Sequence, residues 1–342
     1  MKVACLSFTS KGREIGEQIL KNYEQKPNFV EAIKHFHNSS IKGGIKTILP
    51  EVVRKYDGIV FISATGIAIR MMIPFIKDKK TDPAIVVVDD LGRYSISLLS
   101  GHIGGANTLS KEIGNIIDAK PIITTASDSR GIEAVDMYAI RNNLYMKNMN
   151  SVKKITALMI EGKKIGFYSE IKAKIGYSNL IEIEDKQGIK LIEEKVDGIL
   201  LVTSQKGIKP SIPYTILRPQ NLNIGIGCRK GTRGKDIINS IIDLLNKNSL
   251  SEESIKSIGT VSIKKNEKGI IEASEYFSCP MNIFTKEEIK KVEDSFQKSQ
   301  FVKEKIGVYG VSEPSAYLSG GNLIVDKTIY NGITLAISKE VF

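Results

Sequence analysis

The stretch Ile59-Val60-Phe61-Ile62-Ser63-Ala64-Thr65-Gly66 predicts a buried strand that turns directly into a helix. Four apolar residues form the strand, and the helical pattern that follows runs to Pro74. Short apolar runs alternate with longer helical patterns through most of the chain, and glycine-rich loops join several of them. This alternation predicts an α/β protein with mixed sheets and flanking helices.

The turn at Thr65 and Gly66 lies where the predicted helix begins, and free N–H groups and the helix dipole favour an anion there. Arg70 follows Gly66 by four residues and therefore shares its face of the helix. A guanidinium in that place suits a carboxylate. An ordinary helix start with a solvated arginine explains the same residues, so the sequence leaves both interpretations open.

A hairpin is predicted downstream, where two apolar runs flank Asp89-Asp90-Leu91-Gly92. The second run ends in the glycine-rich loop Ser100-Gly101-His102-Ile103-Gly104-Gly105-Ala106-Asn107. Its glycines allow the backbone to approach a ligand, and its N–H groups suit an anion or an oxyanion. His102 lies in this loop instead of on an apolar helix face, which makes it the leading acid–base candidate. A glycine-rich turn with an exposed imidazole is the alternative.

A further strand is predicted at Ile122-Ile123-Thr124-Thr125, shortly before Asp128. If the strands at 59–62, 95–99 and 122–125 run parallel, Thr65, His102 and Asp128 meet at their carboxyl ends, where open α/β sheets bind ligands. The hairpin then places the Asp89-Asp90 pair at the opposite end of the sheet. We interpret that pair as support for the turn.

A second glycine-rich turn, Gly225-Ile226-Gly227-Cys228-Arg229-Lys230-Gly231-Thr232, precedes a helix predicted over 235–246. Its third glycine is misplaced for a dinucleotide fingerprint, and the Gly-Lys-Thr of a Walker loop is missing. The turn and its two basic residues still predict an anion cradle. No histidine follows His102 to activate Cys228, so that thiol is interpreted as packing. Ser312 is expected to cap a short helix, and 323–327 with 333–337 to form a terminal hairpin.

The length of 342 residues suits two or three domains. A polar stretch at 141–154 and a proline-rich one at 204–221 divide the chain into an N-terminal domain at 1–145, a small middle domain at 146–215 and a C-terminal domain at 216–342. The three cysteines are too few and too widely spaced for a disulfide framework, which predicts a reducing cytoplasm. No signal peptide or membrane span is expected.

The chain has 49 basic and 38 acidic residues, a net charge of +11. Solvated lysines, a nucleic-acid partner and an anionic small molecule are the three explanations. Without zinc-finger spacing, an RNP-type motif or any tryptophan, nucleic acid is disfavoured. Ser100 lacks a Gly-x-Ser-x-Gly elbow, which argues against an ordinary serine hydrolase. His35 and His37 have no third ligand nearby in the sequence, so no protein metal site is expected.

Six strings taken together resemble one family, the cobalt-precorrin-5A hydrolases of the anaerobic cobalamin pathway. They are Ala64 to Arg70, Asp82-Pro83 through Asp89, Leu98 to Asn107, Thr124-Thr125 with Asp128, Gly225 to Thr232, and Val311-Ser312-Glu313. They occur in order in the first and last domains, with a variable middle. The resemblance therefore covers nearly the whole chain.

The resemblance implies a hydrolase that acts on a cobalt-bearing tetrapyrrole. Water opens the δ-lactone of cobalt-precorrin-5A, and a carbon–carbon bond then breaks to release acetaldehyde and give cobalt-precorrin-5B, which contracts the ring. The cobalt arrives chelated in the substrate, so no further metal or cofactor is expected. The substrate carries several carboxylates, which suits a basic protein. His102 and Asp128 would handle the protons, while Thr65 and N–H groups near Gly104 and Gly105 would polarise the lactone carbonyl.

The resemblance also implies a set of substrate-binding residues. They are Gly66, Arg70, Ser100, Gly101, Gly104, Gly105, Asn107, Thr124, Thr125, Gly227, Arg229, Lys230, Gly231, Thr232 and Glu313. The last domain resembles a small standalone protein of the aerobic route and is expected to bind or hand over substrate, with pathway methyltransferases as further candidate partners. Two alternatives stay open: a non-catalytic carrier of a cobalt-tetrapyrrole intermediate, and a nucleotide-binding enzyme that uses the turn at 225–232.

Overall fold

A computed structural model of the chain describes residues 1–23, 30–78, 81–126 and 130–341. The chain divides into two compact units, Met1–Met137 and Tyr138–Phe342. The first contains a six-stranded sheet and the second contains two five-stranded sheets, all three of mixed strand direction and flanked by helices. The predicted fold class is therefore confirmed. The sheets occupy 2–122, 144–219 and 222–339, while the predicted domain limits stay a prediction.

The first unit alternates strands and helices as its sequence predicts. Its elements are β1 (Lys2–Ser7), α1 (Ser10–Tyr23), β2 (Ala32–His37), α2 (Ile45–Lys55), β3 (Gly58–Ile62), α3 (Thr65–Met72), β4 (Ala84–Val88), β5 (Tyr94–Leu99), α4 (Ala106–Ile117) and β6 (Lys120–Ile122), and α5 (Val135–Arg141) runs into the second unit. The strand order is β2-β1-β3-β4-β5-β6. The strands β1 to β4 are parallel, β5 is antiparallel to β4, and β6 is parallel to β5.

Because of these strand directions, the prediction that Thr65 and His102 lie close together is wrong. Thr65 follows β3, whereas His102 follows β5, which runs the opposite way. The two residues therefore lie at opposite edges of the sheet. The strands between these edges are five residues long, which is about 16 Å. The Asp89-Asp90 turn lies at the edge of Thr65 and not opposite it. The predicted strand at 122–125 is also wrong, because β6 ends at Ile122.

The interpretation of Asp89 as a turn support is confirmed. Its Oδ1 accepts hydrogen bonds from the N–H groups of Arg93 and Tyr94, each at 2.7 Å. Partial burial opposes ionisation of Asp89, but these hydrogen bonds outweigh it and hold the pKa of the carboxyl below its usual value. Asp90 accepts a hydrogen bond from Thr9 Oγ1.

The sheet of the first unit is buried on both faces. On one face, α1 and α4 pack over a core that includes Val3, Cys5 and Val60. On the other face, α2 and α3 pack over a core that includes Leu6 and Phe61. Burial on both faces explains why the central strands are continuous apolar runs instead of alternating ones.

The first sheet of the second unit has the order β7-β11-β10-β8-β9, with β7 antiparallel to β11. Its elements are β7 (Leu144–Met146), α6 (Met149–Ile160), β8 (Ile165–Ser169), β9 (Leu180–Glu182), α7 (Lys186–Ile192), β10 (Gly198–Val202) and β11 (Tyr214–Pro219). The strand β10 is buried along its whole length, between β8 and β11.

The second sheet of this unit has the order β14-β13-β12-β16-β15. Its elements are β12 (Leu222–Cys228), α8 (Gly234–Lys247), β13 (Ile255–Val261), α9 (Lys268–Tyr276), β14 (Met281–Phe284), α10 (Lys286–Val292), α11 (Gln300–Ile306), α12 (Ser312–Ser319), β15 (Asn322–Tyr330) and β16 (Ile333–Lys339). The last two form the predicted antiparallel hairpin. Ser312 is the first residue of α12 and caps nothing, since Val311 holds the cap position without a side-chain hydrogen bond.

In the part of the chain that the structure describes, no helix combines the length and the apolar character needed to cross a membrane.

Candidate functional site

The loop between β5 and α4 is a tight turn that places His102 beside a cavity. Gly105 N donates to His102 O at 2.9 Å, Ala106 N to Ser100 O at 3.1 Å, and Asn107 N to Gly101 O at 3.0 Å. Ser100 has a φ of +58°, a left-handed conformation that residues other than glycine seldom adopt. The backbone therefore holds the loop closed by its own hydrogen bonds.

Close packing explains the first two glycines of this loop. A Cβ on Gly104 would lie 2.3 Å from Ser100 Cβ, and one on Gly101 would lie 2.8 Å from Asn107 Oδ1. The N–H of Gly105 already donates to His102 O, and the predicted use of N–H groups near Gly104 and Gly105 on a lactone carbonyl stays a prediction. The glycines allow the loop to adopt its closed shape, and the groups that could take part in a reaction are side chains.

The carboxylate beside His102 is Asp136, a residue that the sequence analysis missed. His102 Nδ1 lies 3.9 Å from Asp136 Oδ2, and the two side chains are 22% and 9% exposed. Asp136 stands in the first turn of α5. The distance between these two atoms is that of an ion pair and is longer than a hydrogen bond. The other predicted partner, Asp128, lies outside the described residues.

Polar side chains next to His102 form a connected network. Asn107 is 7% exposed; its Oδ1 accepts from Ser97 Oγ at 2.7 Å, and its Nδ2 donates to Thr125 Oγ1 at 2.9 Å. The adjoining cavity of about 160 Å³ is lined by Ser100, Gly101, His102, Ile103 and Thr125. The structure thus brings His102, Asn107 and Thr125 together, and their predicted roles at a substrate site stay predictions. Thr124 is exposed at the neighbouring position.

Thr65, Gly66 and Arg70 lie at the opposite edge of the same sheet. Thr65 is the first residue of α3, which confirms the predicted helix start. Arg70 is exposed, and its Nη1 donates to Gly66 O at 3.4 Å. Thr65 is therefore not placed to act on a group held by His102, while Arg70 lies further along the helix.

The glycine-rich turn of the third sheet is used for packing. A Cβ on Gly225 would lie 1.8 Å from Ser312 O, and one on Gly227 would lie 2.6 Å from Thr334 Oγ1. Because Gly225 lacks a side chain, the backbone of α12 rests directly on β12. This close approach accounts for the motif at 225–227 without any ligand.

The predicted anion cradle at Gly231 is already occupied by the protein itself. Gly231 N donates to Glu267 Oε1 at 2.7 Å, and Glu267 Oε2 pairs with Lys264 at 3.0 Å. Burial opposes the ionisation of Glu267, but the Lys264 ammonium and the Gly231 N–H outweigh it and lower the pKa of the carboxyl. The Gly231 N–H is thus engaged within the protein, and the predicted anion cradle of the turn with Arg229 and Lys230 stays a prediction.

Basic side chains nevertheless surround this turn. A cavity of about 480 Å³ beside it is lined by residues that include Lys230, Arg233, Lys235 and Lys268. Arg229 and Lys230 are exposed, and Thr232 Oγ1 donates to Arg229 O at 2.8 Å. Cys228 is half-buried against the core, and burial raises the pKa of its thiol, which agrees with its interpretation as packing.

Glu313, predicted to bind substrate, is 4% exposed, and its carboxylate oxygens bond to the backbone. Its Oε2 accepts from Gln297 N and its Oε1 accepts from Lys327 N, each at 3.2 Å. Both oxygens therefore connect distant segments of the same unit, and the predicted substrate-binding role stays a prediction.

The remaining two histidines form a separate cluster at the carboxyl end of β1. The buried Ser7 Oγ lies 2.7 Å from His35 Nε2 and 2.9 Å from His37 Nδ1. Burial lowers the pKa of His35. Within residues 1–23, 30–78, 81–126 and 130–341, no three His, Cys, Asp or Glu side chains are grouped so as to hold a metal ion.

Three family descriptions match the chain in order. "Cobalamin synthesis G N-terminal" matches residues 47–128, "Cobalamin biosynthesis central region" residues 133–219, and "Cobalamin synthesis G C-terminus" residues 222–338. Together they span most of the sequence.

Two similar proteins carry the same name. The cobalt-precorrin-5A hydrolase of Salmonella typhimurium is 32% identical, over 86% of this chain and 85% of the relative. The cobalt-precorrin-5A hydrolase of Priestia megaterium is 31% identical, over 93% of this chain and 89% of the relative. A cobalamin biosynthesis protein G homolog from Sulfolobus solfataricus, of known structure, is 24% identical over 99% of this chain and 97% of that chain, with a TM-score of 0.40.

Proposed function

The chain belongs to the cobalt-precorrin-5A hydrolase family, and we propose that the chemistry of this family takes place at the loop that carries His102. The protein is a hydrolase: it opens the δ-lactone of cobalt-precorrin-5A with water, and acetaldehyde leaves as cobalt-precorrin-5B forms. The observation that carries the choice of site is the pairing of His102 with Asp136 beside a polar cavity.

In the first step, His102 takes a proton from the water that attacks the lactone carbonyl. Asp136 faces Nδ1 and stabilises the imidazolium that results. The Thr125 hydroxyl lines the same cavity and is oriented by Asn107, so it is our candidate donor to the developing oxyanion. The ring C–O bond then breaks as His102 returns its proton to the leaving oxygen, and the new carboxylic acid releases its proton to solvent, which leaves a carboxylate and a hydroxyl group.

In the second step, the carbon–carbon bond breaks and the hydroxyl group becomes the carbonyl of acetaldehyde. The proton leaves that hydroxyl, and the electron pair of the broken bond passes into the macrocycle. His102 accepts this proton after it has returned the first one. We propose that no cofactor beyond the substrate's own cobalt complex is needed, because the conjugated ring can accept the electron pair.

The substrate's carboxylates need basic partners. In the first unit our candidate is Arg70 on α3, and in the second unit, taken by itself, the exposed pair Arg229 and Lys230 are candidates for a separate holding site. We propose that the last sheet binds or hands over substrate through the basic rim of its cavity, and that the reaction takes place in the cytoplasm, where pathway methyltransferases would supply and receive the intermediates.

The test is anaerobic incubation of the purified protein with cobalt-precorrin-5A while acetaldehyde is trapped and quantified. The hydrolase releases many equivalents of acetaldehyde per protein. A carrier binds the substrate tightly but releases none, and that outcome would overturn the proposal.

A further inference from the structure

The outer surface of α3 and of the turn after it is apolar. The exposed fractions are 40% for Ile67, 41% for Ile69, 61% for Ile73 and 44% for Ile76. The inner surface of the same helix buries Ala68, Met71 and Met72 in the core. A helix that is apolar all round is normally enclosed by protein. Here one side is left uncovered.

The neighbouring helices of the unit show what an ordinary solvated surface looks like. On α1, Arg13 pairs with Glu17 at 2.9 Å, and on α2, Lys55 pairs with Glu51 at 2.5 Å. On α3, Arg70 is the one charged residue. Single apolar side chains such as Leu91 are also exposed elsewhere in this unit, but a group of them on one helix marks a place where something binds.

The exposed isoleucines form a continuous stripe. Ile69 and Ile73 are four residues apart, and Ile76 follows one turn later, so the three lie along one side. On the same face of the sheet, Ile96 and Leu98 of β5 pack against the core under α3 but are only half-buried. The apolar surface is therefore not limited to the helix.

Basic residues flank the stripe. Arg70 lies beside Ile69 and Ile73, and the exposed Lys77 follows Ile76. The carboxylate of Asp82 is already engaged, since it accepts the N–H of Lys77 at 2.9 Å. A flat apolar ligand with carboxylates around its edge matches an apolar stripe with cations at its side and at its end.

The stripe also leads toward the His102 loop. The helix α3 begins at the carboxyl end of β3, and the following chain returns through Lys77 to the start of β4 at Ala84. Leu99, the last residue of β5, pairs with Ile85 at that same edge. The end of the stripe and the His102 loop are therefore at the same edge of the sheet.

We propose that the macrocycle of the cobalt-tetrapyrrole substrate lies on the isoleucine stripe of α3, with carboxylates at Arg70 and Lys77. In this position the edge of the ring that carries the lactone points toward His102. This inference rests on the proposed function, and it assigns the recognition of the apolar ring to residues that contribute nothing to proton transfer.

The first test replaces both central isoleucines, as the double variant Ile69→Asn with Ile73→Asn. We expect KM for cobalt-precorrin-5A to rise roughly tenfold or more and kcat to stay within about twofold, because apolar contact is lost while the chemistry is untouched. The matched control is Leu191→Asn, an apolar residue on the short helix α7 that is 77% exposed, and it should leave KM unchanged. An unchanged KM in the double variant would overturn the inference.

The second test locates the ligand without relying on the kinetics of the isoleucine variants. The variant Ile73→Cys is treated with iodoacetamide with and without saturating substrate, and labelling is followed by peptide mass; Lys111→Cys on the opposite face of the sheet is the control. Substrate should slow labelling at position 73 about fivefold or more and leave position 111 unchanged. If a higher protein concentration slows labelling at position 73 without any substrate, a second copy of the chain covers the stripe. That result would overturn the inference.

The two tests separate this inference from the proposed function. Acetaldehyde release by the wild-type protein, with no protection at position 73 and no change of KM, would overturn the docking surface alone. No acetaldehyde from the wild-type protein would overturn the proposed function itself.

Discussion

Two glycine-rich segments of this molecule look alike in sequence and serve different ends. The loop at 100–105 lies between β5 and α4, whereas the segment at 225–232 begins inside β12 and ends just before α8. The first is closed by its own backbone bonds and leaves His102 beside a cavity and 3.9 Å from Asp136. In the second, Gly225 lies under α12, and the N–H of Gly231 is taken by Glu267.

The difference shows that the spacing of glycines indicates where another group comes close to the backbone. It does not indicate whether that group is a ligand or another part of the protein. In the first segment the glycines let a short loop present a titratable side chain. In the second, they let a helix rest on a sheet, and a carboxylate of the protein fills the place that the sequence assigned to a ligand. Substitutions in the two segments should therefore affect different properties.

The largest effect on stability is expected from Gly225→Ala. The new Cβ would lie 1.8 Å from Ser312 O, so α12 must move off the sheet, and we expect a loss of about 3 kcal/mol in the free energy of unfolding. Urea denaturation measures it. Gly231→Ala is the control. A Cβ at this position meets no other atom, so we expect a loss of only about 1 kcal/mol in the free energy of unfolding, caused by the left-handed φ of +75°. Equal losses for both variants would refute the packing role of Gly225.

The next effect is on catalysis, in Asp136→Asn. The amide keeps the shape of the side chain but cannot stabilise the charged imidazole of His102, and we expect kcat to fall roughly 100-fold, about 2.7 kcal/mol. Acetaldehyde release at saturating substrate gives the value. Asp89→Asn, in the hairpin turn of the same unit, should leave kcat unchanged. A wild-type kcat in Asp136→Asn would remove that residue from the mechanism.

A smaller effect is expected from Glu267→Gln. The pKa of Glu267 is lowered in the folded protein, so its contribution to stability is present above the unfolded pKa of about 4.3 and is lost as the pH falls through the folded value. At pH 7 we expect the variant to lose about 1 kcal/mol, and the difference from wild type should shrink below pH 4. Denaturation curves across this pH range measure it. Tighter substrate binding without any loss of stability would instead restore the anion cradle.

The smallest effect is expected from Lys230→Ala. This side chain is exposed, so its attraction for a substrate carboxylate is screened, and KM should rise only about two- to threefold. The change should vanish in roughly 1 M salt, where the Debye length is short. A large loss of kcat would place the chemistry in the second unit and reverse the comparison of the two segments.

Much of the local structure could be predicted from the sequence. The pattern around Thr65 gave the strand β3 and the start of α3, and the glycine turn at Asp89 gave the β4–β5 hairpin. These features depend on neighbouring residues, whose hydrophobic spacing and turn chemistry are visible in the chain.

Strand direction was the main error. One antiparallel step, from β4 to β5, places the carboxyl ends of β5 and β6, and the loops that follow them, at the other edge of the sheet. The hairpin is visible in the sequence, and it separates His102 from Thr65 because β5 runs opposite to β3. The parallel assumption is common in open α/β sheets, and it fails here at one connection.

Contacts between distant segments could not be predicted from the sequence. Asp136 approaches His102 across 34 positions, and Glu313 bonds to the backbone at Gln297 and Lys327. An isolated Asp or Glu has no local pattern that tells whether tertiary packing will bury it, pair it or leave it in water.

The most direct test of the His102 loop as the chemical centre is the turnover of His102→Ala at saturating cobalt-precorrin-5A, with thermal unfolding followed in parallel. We predict that acetaldehyde release falls by a factor of about 10² to 10⁴ while the melting temperature stays close to that of the wild type. Nearly full turnover by a well-folded His102→Ala protein would contradict this assignment.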